Sequence, residues 1–212
     1  MTVYLSKLQP DPRAKQARND LSSAYQMHAT LCRAFCEPDQ TPPRFLWRLE
    51  EGRQQVPTVL LQSRDLPDWN RLEARFPGYL GEVESKKVPL EQLEQDQVLR
   101  FRVQANPTVS HKAHPDDKRG KRTALTSETD QLEWLEKQGL RGGFEPFDFG
   151  VVQSEKLRLY KHHSGGAPIT LQSVRFEGRV SITDLERFLI TLEEGIGHAK
   201  ALGFGLLSIA AR

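Results

Sequence analysis

The sequence predicts an α+β protein built from two successive units, each with the element order βαββαβ. Strand-like and helix-like apolar periodicities alternate along the chain, their order occurs twice, and a charged, glutamine-rich stretch separates the halves. A chain of 212 residues can form one large domain or two of about 100 residues each. We therefore expect domains at residues 1–90 and 96–212, with the linker lying within 85–97.

In the first half, a strand over Val3–Leu8 precedes a helix over Asp20–Phe35, with Asp20 or Ser22 as its expected cap. Apolar residues recur at helical spacing through this segment, at Leu21, Ala24, Leu31 and Phe35. The remaining predicted elements are strands over Arg44–Glu50 and Thr58–Gln62, a helix over Asp68–Phe76, and a strand over Gly81–Val88.

The second half repeats this order with an extra hairpin. The pattern predicts strands over Val98–Ala105, Phe144–Val152, Lys156–Tyr160, Ile169–Ile182 and Leu206–Ala210, helices over Glu128–Gln138 and from Asp184 through Glu194, and a turn at Ser164–Gly166. Residues 107–127 are expected to form a long flexible loop or an insertion. Two units of this order match the ferredoxin-like motif, a topology that RNA-recognition domains also use.

Composition narrows the class of protein. The net charge is only +2, which excludes a strongly basic tail but is compatible with one basic face. No run of eighteen apolar residues occurs, and the first residues lack the pattern of a signal peptide. Cys32 and Cys36 are the only cysteines, and reduced thiols are expected for them. These features predict a cytoplasmic protein.

Tyr25 and His28 are the candidate catalytic residues. They lie three positions apart on the first predicted helix and so project to the same side. Histidine titrates near neutral pH and can exchange a proton with a reacting oxygen, while tyrosine can orient a phosphate. A histidine and a tyrosine are the minimum set of side chains for metal-free RNA cleavage, in which the substrate's own 2′-OH attacks the adjacent phosphate. Spacing alone leaves a second interpretation open, in which His28 is a hydrogen-bonded core histidine.

Other classes of active site find little support. The histidines form no recognisable ligand pattern with cysteines or carboxylates, so no metal is expected. The sequence contains neither a phosphate-binding G-x-x-x-x-G-K-[ST] loop nor a G-x-S-x-G nucleophile elbow. We expect no cofactor.

Three segments are candidates for RNA binding. Cations on a hairpin or loop can contact phosphates, and glycines allow a close backbone approach to an anion. The candidates are Arg158, Tyr160, Lys161, His162 and His163 at the predicted hairpin, Lys118, Arg119, Lys121 and Arg122 in the long loop, and Lys200, Gly203 and Gly205 in the last glycine-rich loop. Ordinary solvated loops, and a glycine-terminated helix followed by a tight turn, are the alternative interpretations.

Four segments, taken in order, carry a family resemblance: Ala24–His28, Arg102–Pro107, Phe176–Gly178 and Gly195–Ser208. Together they resemble the CasE family, the CRISPR RNA-processing endoribonuclease subunit of type I-E Cascade complexes. The resemblance covers nearly the whole chain, and its most specific element is the last segment. Two departures from the family pattern are His198, where relatives often have proline, and Tyr160-Lys161, where relatives can carry adjacent arginines.

The resemblance implies an enzyme that binds the stem-loop of a CRISPR repeat and cuts at its 3′ base without a metal. His28 then corresponds to the catalytic histidine and Tyr25 to the assisting tyrosine, with Arg158–His163 near the hairpin that grips the RNA stem. The implied products are a 2′,3′-cyclic phosphate and a 5′-OH, and the implied partners are crRNA and the other Cascade subunits. The alternatives are a non-catalytic RNA-binding subunit and an unrelated ferredoxin-like protein that binds a small anion.

Overall fold

The structure, a computed structural model, describes residues 2–51, 56–111, 120–160 and 168–211. The chain divides into two units. The described residues of the first unit are 2–51, 56–92, Tyr160 and 200–203, and the second unit holds the rest. The segment Lys200–Gly203 thus belongs to the first unit, although it lies far along the chain.

The first unit is a four-stranded antiparallel sheet with helices. Its elements are β1 (Thr2–Pro10), α1 (Lys15–Ser22), α2 (Ala24–Cys32), β2 (Phe45–Glu51), β3 (Pro57–Ser63), α3 (Trp69–Arg75), β4 (Leu80–Pro89) and a 3₁₀ turn at Leu90–Gln92. The strand order is β2-β3-β1-β4, so the first and third strands are central. This is the order of a ferredoxin-like sheet.

The predicted helix over Asp20–Phe35 is wrong as a single element. Ser23 adopts an extended conformation, with φ −147° and ψ 111°, and divides the segment into α1 and α2. The Ser23 hydroxyl accepts a hydrogen bond from the Gln26 backbone N–H at 3.5 Å and thereby caps α2. Neither Asp20 nor Ser22 caps this helix, because each belongs to α1.

The helices of the first unit pack on the sheet through a continuous apolar core. Leu8, Val59 and Leu61 from the strands meet Met27 and Leu31 from α2, and all five are essentially inaccessible to solvent. Burial of this size contributes roughly 1.5–3 kcal/mol per large side chain. Such a core fixes α2, the helix of Tyr25 and His28, against the sheet.

The second unit repeats the architecture. Its elements are β5 (Val98–Ala105), β6 (Thr108–His111), β7 (Lys121–Ala124), α4 (Glu128–Gly142), β8 (Phe144–Leu159), β9 (Ile169–Ile182), α5 (Leu185–Glu194) and β10 (Ser208–Ala210). The 3₁₀ turn at Lys200–Leu202, which lies between α5 and β10 in the sequence, belongs to the first unit. The antiparallel sheet has the order β10-β5-β9-β8, which again has its first and third strands in the centre. The prediction of two tandem ferredoxin-like units is therefore confirmed.

Three details of the second unit differ from prediction. β8 is one strand of 16 residues, because residues 153–155, which were expected to separate two strands, pair in regular register with β9. The register shifts of β8 fall earlier, between Phe147 and Gly150 and between Val151 and Gln153. Residues 107–127 contain the β6–β7 hairpin, so an insertion, and not only a loop, occupies this region. Helix α4 continues to Gly142, where glycine is required because a β-carbon would lie 2.7 Å from Thr191 Oγ1 of α5.

The predicted turn at 164–166 lies outside the described residues. Cys32 and Cys36 are both buried free thiols. In the described part of the chain, each helix is too short or too polar to cross a membrane.

Candidate active site

The candidate site is built on α2, which holds Tyr25 and His28 on neighbouring turns of one side. Both side chains are half-buried. The His28 ring stacks on Phe45 of β2, with centroids 5.1 Å apart and an interplanar angle of 29°. Phe45 in turn stacks on Phe35 at 5.2 Å. This aromatic column fixes one face of the imidazole.

Burial controls the charge of His28. Its Nδ1 atom is buried and has no hydrogen-bond partner among the described residues. Protonation would place a charged ring in this poorly solvated position, so burial lowers the pKa of His28 below its ordinary value of 6.5. Burial therefore favours the neutral form of the imidazole in the free protein. A neutral imidazole has a lone pair that can accept a proton.

A turn from much later in the chain supports α2. The 3₁₀ turn Lys200–Leu202 contacts α2 and β2. Trp47 Nε1 of β2 donates a hydrogen bond to the carbonyl oxygen of Ala201 at 3.3 Å. Gly203, with φ +88°, follows at the face of the same indole, where a β-carbon would lie 3.1 Å from two ring carbons. The structure therefore brings the turn that carries Lys200 against the helix that carries Tyr25 and His28.

A buried polar cluster lies on another side of α2. Asp20 Oδ1 accepts hydrogen bonds from Thr30 Oγ1 at 3.1 Å and from Gln16 Nε2 at 2.8 Å. Burial raises the pKa of Asp20, and burial together with the Asp20 carboxylate raises the pKa of Tyr79. The cluster ties α1 to α2 across the extended Ser23.

We predict that Asp20→Asn stabilises the protein at neutral pH. Because the pKa of Asp20 is raised on folding, its favourable contribution is complete below the unfolded pKa and is lost as pH rises through the folded pKa. The amide keeps an acceptor for Thr30 and Gln16 and carries no charge. We expect Tm at pH 7 to rise by about 3 °C, which corresponds to roughly 1 kcal/mol.

Thermal unfolding measured from pH 7 downward tests this, since the gain should shrink as the pH approaches the raised pKa. Asp39→Asn, at an exposed position, is the matched control and should leave Tm unchanged. A lower Tm for Asp20→Asn at pH 7 would mean that the ionised carboxylate stabilises the fold.

Comparisons with known proteins place the chain in a family. A family model described as CRISPR associated protein matches residues 3–211. The CRISPR-associated endoribonuclease Cse3 of Thermus thermophilus is 37% identical, over 98% of this chain and all of the relative. The Cascade subunit CasE of Escherichia coli is 30% identical, over 98% of this chain and 99% of the relative. The chain belongs to the CasE family.

A solved structure agrees with this assignment. Thermus thermophilus Cse3 bound to an RNA representing a pre-cleavage complex matches with a TM-score of 0.85 and 36% identity, covering 99% of this chain and 100% of that one. The predicted membership of the CasE family, whose named relatives include an endoribonuclease, is thus confirmed.

The other predicted site residues of this CasE family member lie in several places. Arg158 is exposed on β8, Tyr160 is 61% exposed just after that strand, and Lys121 and Arg122 are exposed on β7. Lys161, His162, His163, Lys118 and Arg119 lie outside the described residues. Gly203 and Gly205 are buried, and the Gly205 N–H donates to the Gln104 carbonyl at 2.7 Å. A role of these residues in RNA binding stays a prediction.

Sequence analysis of this CasE family member missed three parts of the site. Ser23 could have been found, because Ser23-Ala24-Tyr25-Gln26 has the S-x-x-Q spacing of a capping box. No comparable pattern predicts the contacts of Phe45 with His28 and of Trp47 with Gly203. The alternation of apolar and polar residues identifies Phe45 and Trp47 only as core residues of a strand.

Proposed function

We propose that this chain is a metal-independent endoribonuclease of CRISPR RNA processing. It binds the stem-loop of the CRISPR repeat and cuts precursor crRNA at the 3′ base of the hairpin. The attacking group is the substrate's 2′-OH, and the products are a 2′,3′-cyclic phosphate and a 5′-OH. The enzyme stays with the mature crRNA in Cascade, and it functions in the cytoplasm. The observation that carries the proposal is the neutral, half-buried imidazole of His28 beside Tyr25 on α2.

We assign His28 as the general base. Its lowered pKa leaves a lone pair on the imidazole at neutral pH, which can take the proton of the 2′-OH as that oxygen attacks the adjacent phosphorus. The bond from phosphorus to the 5′-oxygen breaks, that oxygen takes a proton from water and leaves as the 5′-OH, and His28 returns the 2′-OH proton to the solvent. Tyr25 positions the scissile phosphate, and Lys200 supplies positive charge for the RNA backbone.

Cleavage of the cognate repeat RNA in EDTA tests this proposal. We expect one cut at the 3′ base of the hairpin, and no cut when the single 2′-OH at that position is replaced by hydrogen. The ends are identified because polynucleotide kinase labels the 5′-OH of the downstream product directly, whereas the 3′ end of the upstream product accepts a ligated label only after its cyclic phosphate is removed. No cleavage in EDTA, together with retained hairpin binding, would instead favour a non-catalytic RNA-binding subunit. Equal affinity for a scrambled RNA would favour the unrelated anion-binding protein.

The pH dependence of cleavage tests the role of His28. At subsaturating enzyme, the rate constant reports the free protein, in which the pKa of His28 lies below 6.5. We expect the rate to rise with pH through that lowered pKa and to stay level from about pH 6.5 to 8. Single-turnover assays across this range measure it. A rate that falls between pH 6 and pH 8 would assign His28 as the general acid.

A further inference from the structure

The second unit contains a cleft of its own. It opens between the β6–β7 hairpin and α4 and has a volume of about 670 Å³. We call it the α4 cleft, and its lining includes Val109, Leu125, Trp134, Arg122, Arg141 and His198. The volume is within the range of roughly 300–1,000 Å³ that is typical of small-ligand sites. Apolar side chains from three segments and two arginines, one from β7 and one from α4, therefore meet in one concave surface.

Two arginines of the α4 cleft have unpaired side chains among the described residues: neither the Arg122 nor the Arg141 guanidinium forms a hydrogen bond or an ion pair there. The two acidic residues that line the cleft have partners on their own helix: Asp130 Oδ2 accepts from the Ser127 hydroxyl at 2.6 Å, and Glu133 pairs with Lys137 Nζ at 3.1 Å. Two guanidinium groups thus remain for an anionic ligand.

The loop that contains Gly197 and His198 supplies the remaining part of the cleft. Gly197, at φ +70°, lies against Trp134, where a β-carbon would come within 3.0 Å of the indole ring. This close approach brings His198 to the lining of the cleft. Trp134 is buried and stacks on Phe176 with centroids 6.1 Å apart, so the floor is held rigidly. A preformed floor with cations around it suits a ligand that has both an apolar ring and a negative charge.

We propose that the α4 cleft binds an unpaired nucleotide of the RNA that flanks the repeat hairpin. The base contacts the apolar floor, and the phosphate lies between Arg122 and Arg141. Their planar guanidinium groups can each donate two parallel hydrogen bonds to phosphate oxygens. A cleft of this kind accepts an unstacked base, whereas a duplex presents mainly its backbone and shallow minor groove. The proposal rests on the proposed function, and it adds a site for single-stranded RNA on the second unit.

Binding of four RNAs to Arg141→Gln tests the proposal. The RNAs are the cognate repeat hairpin alone, the hairpin with about ten unpaired nucleotides on its 5′ or its 3′ side, and the unpaired strand alone. All carry hydrogen in place of the 2′-OH at the cut site. We expect the wild-type protein to bind one extended RNA more tightly than the bare hairpin. Arg141→Gln should lose that gain, roughly tenfold in affinity, and the slope of log K against log salt should fall by about 0.7.

The controls separate this site from the hairpin site. Arg71→Gln on α3 removes the same charge from an exposed helix and should leave every affinity unchanged. Arg141→Gln should bind and cleave the bare hairpin at the wild-type rate. In addition, 4-thiouridine placed in the extension should crosslink to the peptides that contain Val109 or Arg141.

Several outcomes would overturn the inference. They are an unchanged affinity of Arg141→Gln for both extended RNAs, an equal loss for the bare hairpin, or crosslinks elsewhere. Unchanged RNA binding with loss of the other Cascade subunits would make the cleft a protein interface. Failure of the proposed function is distinguishable, because the wild-type protein would then not cleave the bare hairpin, while affinity for the unpaired strand alone would still report the α4 cleft.

Discussion

Replacing His28 with alanine is expected to slow cleavage of the repeat hairpin by roughly 10²–10⁴-fold while hairpin affinity stays within about twofold. The substitution removes the group that we propose accepts the 2′-OH proton. It leaves intact the basic surfaces that we propose contact RNA phosphates, and such contacts supply most of the affinity for a nucleic acid. Single-turnover cleavage in EDTA and fluorescence anisotropy with a 2′-deoxy substrate measure the two quantities separately.

Gln26→Ala is the matched control for this experiment, since Gln26 lies on α2 but on a different side of the helix. It should retain wild-type cleavage. His28→Ala also removes a ring that stacks on Phe45, so Tm must be measured for both variants. If His28→Ala cleaved at the wild-type rate, the histidine would be the core residue that spacing alone also allowed.

Replacing Gly203 with valine is expected to lower Tm by about 6–18 °C and to abolish cleavage at 37 °C. A β-branched residue at φ +88° costs about 1–3 kcal/mol in backbone strain. Its β-carbon would also lie 3.1 Å from Trp47, which adds about 1–3 kcal/mol of overpacking. The indole would have to move, and its hydrogen bond to Ala201 would be lost with it. Thermal unfolding and hairpin cleavage measure the two effects.

Gly78→Val separates strain from overpacking. Gly78 has φ +75°, but a β-carbon there would meet nothing within 4 Å. This control should therefore lose only the strain contribution, about 1–3 kcal/mol, and should keep its cleavage activity. Equal destabilisation of the two variants would show that contact with Trp47 contributes nothing.

Periodicity was sufficient to predict most strands, because a strand with one buried face has apolar residues, such as Phe101 and Val103, at alternate positions. The break at Ser23 was also encoded locally, since a capping hydroxyl and an extended backbone depend on neighbouring residues. Local sequence patterns could not predict contacts between segments that are far apart in the sequence. The glycines of the last loop suggested phosphate binding, but Gly203 lies against an indole and Gly205 hydrogen-bonds to the backbone of β5. The residues next to each glycine do not indicate which distant residue that glycine contacts.

The bond between Trp47 and Ala201 joins residues that are 154 positions apart. During synthesis, domains generally fold in the order in which they leave the ribosome. Here the first unit lacks one of its own parts until the Lys200–Gly203 segment has emerged, long after α2 has been translated. A nascent chain that contains Tyr25 and His28 therefore has no complete support for α2 until nearly the whole protein has been synthesised.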